Sequence, residues 1–139
     1  MMTGPDDARR SEGEESMSAQ DRLRAVLLTS GLYDWVSLAE VTTAINHYRL
    51  AETLPAQQDL ALRTIRSLLE DGLMQIGDLP SKGSSSLDAW DLTIDAAMEH
   101  AHNRFVRHYD DAMWEFTIWL GPTDAGKRVA RELEGKTAD

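Results

Sequence analysis

The stretch IRSLLEDGLMQIGDL, residues 65–79, changes character halfway along. Its first half ends a helix: AQQDLALRTIRSLLED (56–71) carries Leu62, Ile65, Leu68 and Leu69 inward at helical spacing. Pro55 suits the first turn of that helix, where its missing N–H would go unpaired anyway. Gly72 stops the helix, and LMQIGDL (73–79) follows as a short apolar strand.

Two helices are expected upstream. In SAQDRLRAVLLTSG, Ser18 caps the first turn with Asp21 three residues on, Leu23, Val26 and Leu27 form the stripe, and Gly31 is the expected C′ stop. LYDWV (32–36) reads as an extended aromatic link. SLAEVTTAINHY (37–48) then opens with Ser37 and Glu40 in capping-box spacing and places Leu38, Val41 and Ile45 on one face.

Downstream, PSKGSSS (80–86) is a flexible turn with Lys82 at its tip. TIDAAMEHAHNRFVRHY (93–109) repeats apolar residues at Ile94, Ala97/Met98, Ala101, Phe105 and Tyr109, which predicts a fourth helix. MWEFTIWLG (113–121) alternates, with Trp114, Phe116, Ile118 and Leu120 facing one way and Glu115, Thr117 and Trp119 the other, the period of a half-buried strand. TDAGKRVARELE (123–134) closes as a helix with Val129, Ala130 and Leu133 inward. Residues 1–17 are polar and acidic and are expected to be disordered; residues 135–139 are expected to fray. The folded domain then spans 18–134.

Three helices, a strand, a polar turn, a second strand and a closing helix follow the order of a winged helix-turn-helix. The segment IRSLLEDGLMQIGDL resembles the third helix and first wing strand of MarR- and PadR-type domains, and TDAGKRVAREL resembles the segment that leaves their wing. The resemblance covers roughly 18–78 and 112–134, and the whole pattern is similar to small winged-helix-like proteins of actinobacteria. It implies an α+β fold: a three-helix core, a small antiparallel β-wing with an extra helix inserted in it, and a C-terminal helix. It also implies that the helix at 56–70 would be the one to enter a DNA major groove.

Composition bears on function directly. The 139 residues carry 14 Lys and Arg against 24 Asp and Glu, a formal net charge of −10. Affinity for nucleic acid comes largely from cations that neutralise phosphates, so this balance disfavours DNA. With no cysteine there is neither a disulfide framework nor a thiolate metal site. The polar N-terminus carries no secretory pattern and no apolar run is long enough to span a bilayer, so a cytoplasmic protein without membrane contact is expected.

GPTDAGKR (121–128) approaches the pattern of a phosphate-binding loop, but Arg128 stands where a Ser or Thr must hold Mg²⁺, and Asp124 would set a carboxylate among phosphates. Its expected role is structural: Thr123 caps a helix and Gly126 permits close packing. His100 and His102 point about 200° apart on a helix and cannot share a metal. His47 stands alone, and His100 and His108 are two turns apart. No nucleophile motif is present, so the expectation is a non-enzyme without cofactor or metal.

What remains is a binding protein. The expected partner is another protein, a basic one by charge complementarity, with Trp119, Trp90 and Tyr109 as candidate interface residues and a homodimer left open. A regulator, an adaptor and a toxin-neutralising immunity protein all fit. The alternative is a DNA-binding transcriptional regulator that would use Arg63, Thr64, Arg66, Ser67 and Lys82.

Overall fold

The computed structural model describes residues 18–78, 88–107 and 118–138. The expected acidic tail, the turn at 80–86 and the strand residues 113–117 lie outside them. The order is α1 (Ala19–Gly31), β1 (Val36–Ser37), α2 (Leu38–His47), α3 (Leu54–Glu70), β2 (Met74–Asp78), β3 (Asp88–Ala89), α4 (Ile94–His102) with a π-helical turn (Asn103–Arg107), β4 (Trp119–Pro122) and α5 (Asp124–Ala138). The class is α+β, mostly helical, with one small antiparallel sheet.

Each helix starts where a side-chain oxygen replaces the missing backbone partner. The Asp21 N–H donates to Ser18 Oγ at 3.0 Å and the Glu40 N–H to Ser37 Oγ at 3.2 Å. Thr53, Thr93 and Thr123 accept in the same way from Ala56, Ala96 and Gly126. Gly72, at φ 71°, ends α3 in the left-handed conformation open to glycine, as expected.

Gly31 behaves otherwise. It is the last residue of α1 rather than a stop beyond it, and a Cβ there would meet Met74 Cε at 3.2 Å and Pro122 Cδ at 3.3 Å. The absent side chain serves packing of the helix end on the sheet.

The strand order is β1-β4-β2-β3, antiparallel throughout. Val36, Leu120 and Ile76 lie in one register row on the buried face. Ser37, Trp119, Gly77 and Ala89 make the next row. The core gathers Leu23 and Leu27 of α1, Val41 and Ile45 of α2, Ile65 and Leu68 of α3, and Phe105 and Ala130, all buried.

Two short strands are additions to the sequence reading. β1 falls in the expected aromatic link, and β3 pairs with β2 directly, so that β4 enters between β1 and β2. The helix expected over 93–109 is regular only to His102. The closing helix runs on to Ala138, where a frayed tail was expected. Leu62 and Leu69, expected inward, are half-buried against the core margin.

Candidate functional site

The exposed side of α3 is where a winged-helix protein would meet a ligand, and its local sequence determines what is on offer. Leu60, Ala61, Thr64, Ile65 and Leu68 share the buried side of the helix. Thr64 is thereby removed from the candidate contacts: it is 0% exposed, and its Oγ1 donates to the Leu60 carbonyl at 2.7 Å. A threonine can bury its hydroxyl against the preceding turn, so a polar residue type did not imply a polar face here.

The arginines are occupied. Arg63 Nε pairs with Asp59 Oδ2 at 2.7 Å, and Arg63 Nη1 donates to Gln20 Oε1 at 3.4 Å. Arg66 Nε pairs with Glu70 Oε2 at 3.2 Å, and its Nη2 pairs with Asp95 at the start of α4. The Asp95 hydrogen bond is the main reason that Arg66 holds its proton more firmly than usual. Ser67 is half-buried and accepts from Arg24, which also pairs with Asp71 at 2.8 Å. Lys82 lies outside the described residues.

α4 packs against the same helix and runs antiparallel to it. Arg66 meets Asp95 at one end, while near the other Gln58 Nε2 donates to the Phe105 carbonyl at 3.4 Å. Between them Leu62, Arg63, Arg66, Met98 and His102 line a shallow cavity of about 210 Å³. α4 therefore covers one flank of α3, leaving a strip headed by Asp59, Arg63, Arg66 and Glu70. Two cations and two carboxylates cancel there. At the N-terminal tip of α3, Leu54, Pro55 and Ala56 are exposed, an apolar end where base edges would be read.

The aromatic candidates separate. Trp90 is half-buried against the core and stands edge-on to His100, ring centroids 4.6 Å apart. Burial is the first cause of His100's lowered pKa, followed by the positive charge of Arg104, with Asp78 opposing them. Trp119 is half-buried in a register row whose other members, Ser37, Gly77 and Ala89, are small. Tyr109 lies outside the described residues. The large apolar side chains that stand out are instead Tyr33, Tyr48, Leu54 and Leu92, which solvent-exposure patterns on helix ends and links did not reveal in sequence.

The loop-like GPTDAGKR segment is filled by the protein itself. Thr123 Oγ1 donates to the Gly72 carbonyl at 2.6 Å, and the Thr123 N–H donates to the Leu73 carbonyl at 3.0 Å. A Cβ on Gly126 would lie 1.9 Å from that Leu73 oxygen. Backbone of the turn after α3 sits where a phosphate would have to approach. Among the described residues, no group of His and carboxylate side chains is placed to hold a metal ion, and no helix is long and apolar enough to cross a membrane.

No family model, curated protein or solved structure matches the chain.

Proposed function

We propose that the chain is a winged-helix-like, non-enzymatic module that binds another protein, acting in the cytoplasm as a regulator, an adaptor or a toxin-neutralising immunity protein. The topology supports the winged-helix reading: three helices, with β1 between the first two, precede β2, the late strand β4 inserts between β1 and β2, and α4 would then be an insertion within the wing. The observation that carries the functional reading is α4 lying along α3 with Asp95 on Arg66. An element that would have to enter the major groove has one flank covered, its cations paired within the chain and an apolar tip. A formal charge of −10 adds long-range repulsion from a polyanion and attraction to a basic protein surface.

Fluorescence anisotropy with random duplex DNA tests this. At about 50 mM salt no binding is expected, and appreciable affinity falling steeply with log salt would establish the DNA-binding alternative instead. The positive arm is co-isolation with the intact protein from native cells. A basic protein retained at low salt and released at high salt is the expected result; recovery of nucleic acid alone would overturn the reading.

A further inference from the structure

Two of the exposed apolar side chains bracket one short link. Tyr48, 48% exposed, follows α2 and Leu54, 44% exposed, opens α3; Arg49 and Glu52 between them and Pro55 after them are exposed as well.

That link is held in one shape. Gln57 Nε2 donates to Asn46 Oδ1 at 2.8 Å and to the Ala51 carbonyl at 3.1 Å, and the Leu50 N–H donates to the Ile45 carbonyl at 2.9 Å. A surface already fixed loses little freedom when it docks. Arg49, at φ 54°, is the left-handed residue that closes α2: its N–H donates to the Asn46 carbonyl at 3.2 Å beside the Leu50 bond, which fixes where the link leaves the helix.

We propose that this link is a self-docking surface through which two copies of the chain form a twofold-symmetric dimer. A twofold interface sets one patch against itself, so every group must find its complement within the same patch. This link contains such a pair. Arg49 and Glu52 carry opposite charges three residues apart, and neither makes an ion pair with any described residue. Across the axis, Arg49 of each copy meets Glu52 of the other, and the two pairs flank Tyr48 and Leu54 packed against their counterparts.

Net charge acts the other way. Two chains of −10 repel at long range, so screening by salt strengthens this association, whereas it weakens capture of a basic partner. The dimer stands independently of the partner class proposed above, because its occupant is the chain itself.

Sedimentation of the intact protein across a range of concentrations tests the proposal. The expected mass rises from monomer toward dimer with concentration, and further at about 0.15 M salt than at low salt. Replacing the apolar pair (Y48S with L54S) weakens dimerisation about tenfold or more, as for central side chains of an interface. R49E and E52R each weaken it, the double variant R49E/E52R restores it, and mixing the two single variants yields a heterodimer. All four positions are exposed, so circular dichroism should show the fold unchanged. Monomer mass at every concentration overturns the proposal, as does a dimer indifferent to these variants or one that the double charge swap fails to restore.

Discussion

At the scale of single residues, glycine carries two opposite meanings within α5. Gly126 lies where the helix presses on the turn after α3, and a Cβ would lie 1.9 Å from the Leu73 carbonyl oxygen. Backbone cannot yield as a flexible side chain can, so Gly126→Ala should cost about 3 kcal/mol, read as an earlier midpoint in chemical denaturation. Gly135 has nothing within 4 Å, so Gly135→Ala should leave stability unchanged or raise it by up to about 1 kcal/mol through helix propensity. His100 gives a pH signature. Its folded-state pKa lies below the ordinary 6.5, so the unfolded chain binds the extra proton more readily. Stability attributable to this residue is therefore complete above 6.5 and declines as pH falls toward the lowered value. Denaturation midpoints measured across that window should fall less with acid in His100→Gln than in the parent chain.

Among elements, α4 and its π-helical turn determine how much of α3 is open. Phe105 anchors them from the turn at 0% exposure, and Gln58 beneath it is buried with its amide on the Phe105 carbonyl. Phe105→Ala should cost about 3–5 kcal/mol, with faster amide exchange along 94–107 as the local readout. Legibility in the sequence followed range. The caps at Ser18 and Ser37, the stop at Gly72 and the packing role of Gly126 depend on neighbours a few positions away or on a residue's own lack of side chain. β1 was hidden because two residues are too few to show a period. Thr64 turns inward although its residue type is polar, because its hydroxyl is satisfied by the Leu60 carbonyl of the preceding turn. The antiparallel seating of α4 on α3, and the ion pair between Arg66 and Asp95, join residues 29 apart, a relation that no local pattern encodes.

For the molecule as a whole, charge is the governing quantity. An excess of ten negative charges makes the compact state repel itself, and salt relieves that repulsion. Thermal midpoints should therefore rise from low salt to about 0.15 M, where screening reaches within about 8 Å; a fall would mean that the α3 ion pairs outweigh the net repulsion. The seam between Thr123 and the Gly72 carbonyl, 51 residues apart, has a kinetic consequence. Among the described residues β1 pairs with β4 alone, and Tyr33 reaches Glu134 across 101 residues of sequence. During synthesis the three leading helices can collapse early, yet the sheet edge beside them stays open until the final strand emerges. A nascent chain halted before Trp119 thus presents an unclosed, adhesive margin, and its maturation is set by when translation delivers that strand rather than by how fast its helices form.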